Sequence, residues 1–319
     1  MNATYSTDDV LIGTTATLLS VAEVAAYLPC LWVIRKDVEL KEHSCFQLMF
    51  HLGLADMVAL TGQAAAGIAT VAGLADTVPY WLNRIVGSTH HALSWFPYLF
   101  LLHAIALNRF VTICLPPRYD HFLFSRFAVK LWIVGCWTYS LVWYAVHLHP
   151  DSGCIYIWSL FAFYFDSAKP WYHALKTATF YQNMLNLWSS AGWYCLIVLY
   201  LRVLRKNSVN PEPVRVGGQA RDQKARKMAK ERLVMMQAGI ICGFTMALTS
   251  FWHLAPLLFN EFGFEYTYAL GNILWIANSG INPFVYLTIN RTIKRKVREM
   301  LVKSNPGPSA GGGIQMQII

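Results

Sequence analysis

The chain has 319 residues, of which 55% are hydrophobic and only 13% are charged, and its formal net charge is +9. A soluble domain contains about 25% charged residues, so the composition excludes an ordinary water-soluble protein. The positive charge does not indicate a nucleic-acid partner, because basic residues in membrane proteins collect in the cytoplasmic loops.

Seven apolar runs are each long enough to cross a bilayer core, which takes about 20 residues. The first run is longer than the apolar stretch of a signal peptide and lacks a basic segment before it, so we expect a true span. The sequence therefore predicts an all-α membrane protein, a seven-transmembrane helix bundle. The runs cover residues 10–34, 46–74, 86–114, 127–148, 174–203, 229–259 and 266–289.

The distribution of Lys and Arg predicts the orientation of the bundle. If the N-terminus is placed outside, only three of the 26 basic residues lie in outer segments, namely Arg84, Lys169 and Lys176. Since basic loops stay in the cytoplasm, we expect the N-terminus outside and the C-terminus inside. An N-glycosylation sequon at Asn2 agrees with an extracellular N-terminal segment, residues 1–9.

The segments between and after the spans differ in character. Residues 35–45 form a short loop, 149–173 are the longest outer segment, and 204–228 are polar, basic and expected to be mobile. Residues 290–302 place apolar side chains at helical spacing between basic ones, which predicts a helix lying on anionic membrane lipids. The bundle with this helix ends at residue 303, and 304–319 have the composition of a disordered tail.

Ionisable side chains inside a membrane are candidates for function. Asp56 lies in the middle of the second span, and Asn278, Ser279 and Asn282 in the last span are suitable partners. A hydrogen-bonded packing residue is the alternative interpretation of Asp56. We interpret Glu23, His51 and His103 as packing residues.

Two features at the inner ends of spans indicate a conformational switch. Arg109 follows Asn108 near the end of the third span, about a turn before that helix is expected to stop. Pro283 follows Asn282 in the last span, removes a backbone hydrogen bond and loosens the preceding turn. With Tyr286 one turn further on, this segment can form a two-state element.

These residues resemble the rhodopsin-like family of G-protein-coupled receptors over nearly the whole chain. In that family the residue matching Asp56 is a polar hub, the residue matching Arg109 engages the G protein, and the matching tyrosines rearrange on activation. The resemblance implies a heterotrimeric G protein as partner and the plasma membrane as location. It rests on Asp56, Asn108, Arg109, Trp137, Ser140, Tyr200, Asn278, Ser279, Asn282, Pro283 and Tyr286.

The chain departs from the family pattern at several positions. Asn108 replaces the acid beside Arg109, which implies a weaker restraint on the arginine and higher resting activity. Arg84 stands where a cysteine normally bridges to the position of Cys154, which puts that bridge in doubt and leaves open whether Cys154 is disulfide-bonded. Tyr98 replaces a small hydroxyl residue that helps to hold sodium, which puts a sodium ion near Asp56 in doubt; no other cofactor and no metal is expected.

The departures resemble the nematode serpentine chemosensory receptors, in particular their Srx and Srt branches. Asn108-Arg109-Phe110 followed by Leu-Pro-Pro-Arg-Tyr, together with residues 230–237 and 290–293, carries this likeness.

A ligand is expected in a mostly apolar pocket in the outer half of the bundle. His91 replaces the aspartate of amine receptors and Ile276 replaces the lysine of opsins, which leaves a small apolar or aromatic odorant, or a short peptide. The candidate pocket residues are His91, Trp95, Phe96, Tyr181, Gln182, Trp188, Asn272 and Trp275.

The sequence distinguishes three classes of function. A chemosensory receptor is favoured, with a neuropeptide receptor as the alternative ligand class. A transporter or channel would require inverted repeats or buried charge pairs, which the sequence lacks. An enzyme is not expected, because no metal-ligand spacing or nucleophile elbow occurs.

Overall fold

The computed structural model of the protein describes residues 6–74, 77–207, 218–262, 264 and 266–304. The Asn2 sequon, the centre of the basic loop at 208–217 and the tail from 305 onward lie outside the described residues.

The described chain is almost entirely helical, with one two-stranded sheet. In chain order the elements are α1 (Thr7–Lys36), α2 (Val38–Glu42), α3 (Ser44–Val71), α4 (Tyr80–His90), a π-turn (His91–Trp95), α5 (Phe96–Cys114), α6 (Pro117–Leu123), α7 (Arg126–His147), β1 (Cys154–Ile157), a 3₁₀ turn (Trp158–Leu160), β2 (Ala162–Phe165), α8 (Tyr172–Asn207), α9 (Gly218–Phe262), α10 (Thr267–Thr288) and α11 (Arg291–Ser304).

Six segments of the described chain are both long and apolar enough to cross a membrane, namely α1, α3, α4 with α5, α7, Tyr172–Val203 of α8 and Gly239–Glu261 of α9. Helix α10 completes a bundle of seven helices. It has 22 residues but is more polar, because Asn272, Asn278 and Asn282 are buried within it. Helix α1 packs on α3 and α10, and α5 packs on α3, α7 and α8.

The ends of the bundle are named by the orientation expected from the charge bias: the end with Arg109 and α11 is called inner, and the end with β1 and β2 is called outer. The connections at the inner end contain more helix than the sequence predicted. Part of the expected loop at 204–228 is helical, because α8 continues to Asn207 and α9 begins at Gly218. The stretch after Gly218 is rich in Ala, Lys, Arg, Gln and Glu, which favour helix. The first inner loop contains the short helix α2, whose first turn is capped by the Asp37 carboxylate at 3.1 Å from the amide nitrogens of Glu39 and Leu40.

Helix α11 lies at the inner end of the bundle and packs against α1 and α10. Ile293 and Val297 are buried on one face, as the spacing of apolar residues predicted. Lys296 donates hydrogen bonds to Asp37 and, at 3.2 Å, to Glu39. The hydrogen bond to Asp37 raises the pKa of Lys296. This contact ties α11 to the helix of the first inner loop.

At the outer end, strands β1 and β2 form an antiparallel hairpin in which Cys154 is opposite Phe165. The side chain of Asn83 in α4 bonds both backbone groups of Tyr156, at 2.9 Å to the carbonyl and 2.8 Å from the amide. The Tyr80 hydroxyl donates to Asp166 at 2.6 Å. Polar side chains of α4 therefore hold the hairpin over the bundle.

No disulfide joins the hairpin to α4, since all seven cysteines, each within the described residues, are free thiols. Arg84, where a cysteine would stand, donates instead to the carbonyls of His147 and His149. One turn later Gly87 lies against β1, so that a Cβ atom there would be 2.3 Å from the carbonyl oxygen of Cys154. Hydrogen bonds and a close backbone contact thus take the place of a covalent link.

We predict that Gly87→Ala destabilises the protein by about 1–3 kcal/mol, because the added methyl group must displace backbone of the hairpin. The matched control is Gly135→Ala in α7, where nothing lies within 4 Å of the new Cβ. That change should be neutral or slightly stabilising, since alanine favours helix over glycine. Thermal unfolding of the purified protein compares the two.

In the same assay Cys154→Ser should change the stability by less than about 1 kcal/mol, because no disulfide is lost. A loss of about 2–5 kcal/mol would reveal a covalent partner of Cys154. It would contradict the conclusion that hydrogen bonds and a close backbone contact alone attach the hairpin.

Candidate functional site

The Asp56 carboxylate lies at the junction of three helices and is 2% exposed. Its Oδ2 atom accepts hydrogen bonds from the Tyr27 hydroxyl of α1 and, at 2.7 Å, from the Asn282 side-chain amide of α10. The Ser279 hydroxyl also interacts with this carboxyl. A buried carboxylate is tolerated only with such partners. Two of the three partners proposed from the sequence meet Asp56, and Tyr27 is an addition.

The groups around Asp56 do not fit a sodium ion at Oδ2, because an O–H and an N–H donor already face that oxygen. Tyr98 does not turn its hydroxyl to the carboxylate. It bonds the Thr245 hydroxyl at 2.8 Å, and Thr245 donates to the Asn278 carbonyl oxygen at 3.0 Å. This second buried cluster connects α5, α9 and α10, and it contains the third expected partner of Asp56.

At the inner end of the bundle, Arg109 donates from Nη2 to the Cys45 sulfur at 2.7 Å. Asn108 is 1% exposed and points to the Ser44 hydroxyl at 3.4 Å. Among the described residues Arg109 forms no ion pair. The arginine is therefore held at the start of α3 by a weak acceptor rather than by a carboxylate.

Tyr286 lies between the two regions just described. Its side chain is 1% exposed, and its hydroxyl has no hydrogen-bond partner within the described residues. It is within electrostatic range of both Asp56 and Cys45. Tyr200 is 37% exposed on α8, whereas Tyr194, one and a half turns earlier, is buried within electrostatic range of Arg109. Tyr194 was missed, because the family resemblance pointed to Tyr200.

The outer half of the bundle encloses a cavity of about 480 Å³, within the range of small-molecule sites. Three tryptophans from three helices meet at its wall. The ring of Trp275 lies 4.4 Å from that of Trp95 and 5.9 Å from that of Trp252. The Trp95 indole N–H donates to the Asn183 side chain at 3.0 Å, which fixes both groups.

His90 of α4 and Asn272 of α10 line the same cavity, and Gln63 of α3 bonds to both of them. Asn272 and Gln63 exchange two hydrogen bonds of 2.8 and 2.9 Å. The Gln63 amide also lies 3.3 Å from the His90 ring nitrogen, and His90 stacks on Phe163 of the hairpin at 4.2 Å. These contacts hold the histidine at the cavity wall in one orientation.

A π-turn at His91–Trp95 interrupts the third span where it reaches the cavity. Its first residue, His91, pairs with His147 of α7 at 3.1 Å between ring nitrogens. One extra residue in the turn shifts the phase of the helix, and such insertions recur at functional sites. The π-turn thus allows His90, His91 and Trp95 all to line the cavity.

Four of the eight pocket residues expected from the sequence line the cavity, namely His91, Trp95, Asn272 and Trp275. The structure corrects the placement of Tyr181 and Trp188. They do not line the cavity, because their side chains are 67% and 64% exposed on the outward side of α8. Gln182 accepts from the Tyr139 hydroxyl at 2.9 Å and faces α7. Phe96 is fully buried beneath the cavity against Trp143.

The sequence contained a signal that would have oriented α8 correctly. Thr179, Asn183, Asn186 and Ser190 recur at helical spacing and are all buried. In a membrane the polar stripe of a helix faces the bundle and the apolar stripe faces lipid. The hairpin residues Phe163, Tyr164 and Phe165 also line the cavity, but no helical pattern could place a loop there.

Comparisons with known proteins agree with this architecture. The sequence model of the serpentine type 7TM GPCR chemoreceptor Srt family matches residues 1–308. The crystal structure of squid rhodopsin is similar, with a TM-score of 0.69 and 13% identity, covering 93% of this chain and 86% of that chain. That likeness concerns the fold alone. No curated protein sequence matches the chain.

We predict that Tyr27→Phe lowers the stability by about 1–3 kcal/mol, because the buried Asp56 carboxylate loses a hydrogen-bond donor. Tyr181→Phe removes the same hydroxyl from a side chain on the outer surface and should stay within about 0.5 kcal/mol of the wild type. Thermal unfolding in one detergent measures both. Equal losses would show that the Tyr27 hydroxyl does not support Asp56.

Proposed function

The chain belongs to the Srt family of serpentine 7TM chemoreceptors and is a chemosensory G-protein-coupled receptor of the membrane, and we propose that its outer cavity binds a small, largely apolar ligand. In this proposal the N-terminus is outside and the receptor acts in the plasma membrane. Binding in the cavity biases the bundle toward a state in which the inner face around Arg109 engages a heterotrimeric G protein.

The cavity supports a small molecule better than a peptide. Its volume is about 480 Å³, and β2 bounds it on one side with Phe163, Tyr164 and Phe165, of which Tyr164 stacks on Trp252. Aromatic walls favour an apolar or aromatic ligand, and the polar lining, which includes Lys176 and Glu261 as well as neutral groups such as Asn272, can orient it by hydrogen bonds. This is the single observation that separates an odorant-type ligand from the neuropeptide alternative.

The route from the cavity to the inner face follows the buried polar groups. Trp275 lines the cavity on α10, and Asn278 and Asn282 follow on the same helix with partners on α9, α3 and α1. A ligand can shift the equilibrium only by binding one arrangement of these helices better than the other. Pro283 has no backbone N–H, so one hydrogen bond within α10 is missing here. A helix weakened in this way suits an element with two arrangements.

The inner face supports a high resting activity. Within the described residues no carboxylate pairs with Arg109, and Asn108 in the acid's position cannot restrain it by charge. Without such a restraint, less free energy separates the resting state from the one that binds the G protein.

We predict that Arg109→Ala abolishes nucleotide exchange by the receptor on its G protein, because the residue that engages Gα is removed. The measurement is ligand-free exchange by purified receptor on a panel of Gα subunits. Arg126→Ala is the matched control, since this inner arginine is exposed and, among the described residues, forms an ion pair with Glu42 alone, at 3.0 Å.

The control variant should keep the wild-type rate, because an exposed ion pair contributes little to structure. Exchange that survives unchanged in Arg109→Ala, or is absent from the native chain on every Gα with and without ligand mixtures, would contradict the proposal.

We also predict that Asn183→Leu abolishes the response of receptor-expressing cells to an active odorant mixture. The change removes a polar group from the cavity and leaves the Trp95 indole N–H without its acceptor. Tyr181→Leu alters α8 two residues away, on the outward side, and should preserve the response. If Tyr181→Leu rather than Asn183→Leu eliminated it, the ligand would bind outside this cavity.

A further inference from the structure

A separate cavity, of about 370 Å³, lies at the inner end of the bundle between α1, α3 and α7. Its charged lining consists of Arg35 at the end of α1, Lys41 in α2 and Lys130 in α7. All three side chains are exposed, and no acidic residue of the described chain lines the cavity.

These three cations differ from their neighbours in having no anionic partner among the residues that the structure describes. Arg126 nearby is paired with Glu42 at 3.0 Å, and Lys296 is paired with Asp37. Three uncompensated positive charges around one cavity attract an anion, and the low-dielectric wall beside them strengthens that attraction.

One wall of the cavity is apolar. Phe50 and Ile133 are partly buried in it, while Val134 is 60% exposed on the surface that faces lipid. A soluble anion would gain nothing from this wall. An acyl chain would cover it and remain continuous with the membrane.

His51 adds a hydrogen-bond donor to the cavity. The Trp137 indole N–H donates to its Nδ1 atom at 3.2 Å, so Nδ1 must be the acceptor nitrogen. The neutral ring then carries its proton on Nε2, where it can donate to a phosphate oxygen. The Gln47 side chain holds the loop beside it by donating to the Lys41 carbonyl at 2.9 Å.

We propose that this cavity binds the headgroup phosphate of an anionic phospholipid of the inner leaflet. Arg35, Lys41 and Lys130 neutralise the phosphate, His51 donates a hydrogen bond to it, and an acyl chain lies along Val134. Basic pockets between spans on the cytoplasmic side bind such headgroups in other membrane proteins. The site is distinct from the outer cavity and from the basic surface of α11.

The test measures binding of a fluorescent phosphatidylinositol phosphate to the full chain in phosphatidylcholine nanodiscs. The variant Arg35→Gln, Lys41→Gln, Lys130→Gln is compared with Arg291→Gln, Lys294→Gln, Arg298→Gln, which removes three exposed charges from α11. The cavity variant should bind about a hundredfold more weakly, and the α11 variant no more than about tenfold.

Equal losses in the two triple variants would reduce the binding to general surface attraction and overturn the proposal. Soluble inositol phosphate that binds as tightly as the lipid would overturn the assignment to a lipid. Thermal unfolding in phosphatidylcholine alone verifies that each variant is folded. If the triple variant of the cavity does not fold, Lys130→Glu in the cavity is compared with Lys294→Glu on α11. Lys130→Glu should weaken lipid binding more than Lys294→Glu, and equal losses would again overturn the proposal. The readout is binding, so it is independent of coupling to a G protein.

Discussion

The burial of the Asp56 carboxylate is the constraint on which the arrangement of the bundle depends. A buried carboxylate must be hydrogen-bonded, and here the donors come from α1 and α10 while Asp56 itself is on α3. The three helices are therefore fixed against one another at one depth in the membrane. Without a hydrophobic force between helices in lipid, such polar contacts and close packing determine which helices meet.

The spans, the helix after the last span and the meeting of Asp56 with Asn282 could be predicted from the sequence. Span length and charge bias are strong signals, because the bilayer imposes a fixed thickness and leaves backbone groups no partner but the helix itself. The cavity was only half predicted. Its wall depends on the rotation of α8, which places Asn183 inside and Tyr181 outside, and on a π-turn that no pattern of apolar residues announces.

The outer hairpin shows a further limit of sequence reasoning. The sequence shows that Arg84 stands in place of a cysteine. It does not show which contacts replace the covalent link. Asn83 and Gly87 hold the hairpin because its backbone groups lie opposite them, while Arg84 bonds the carbonyls of His147 and His149 at the end of α7. Such side chain to backbone contacts depend on a fold already formed. Among the described residues, the hairpin that bounds the cavity is attached only by such non-covalent contacts. This suits a segment that covers the proposed ligand site.

The inner face combines two kinds of positive charge that have different consequences. Arg109 is held within the bundle by the Cys45 sulfur, so a movement of the helices changes its position. Arg35, Lys41 and Lys130 lie at the membrane surface, where an anionic headgroup would bridge α1, α2 and α7. Such a bridge would touch the start of α3, the helix that carries both Cys45 and Asp56. Under the two proposals, lipid composition biases the same part of the bundle as the proposed outer ligand, provided the headgroup binds its two arrangements with different affinity.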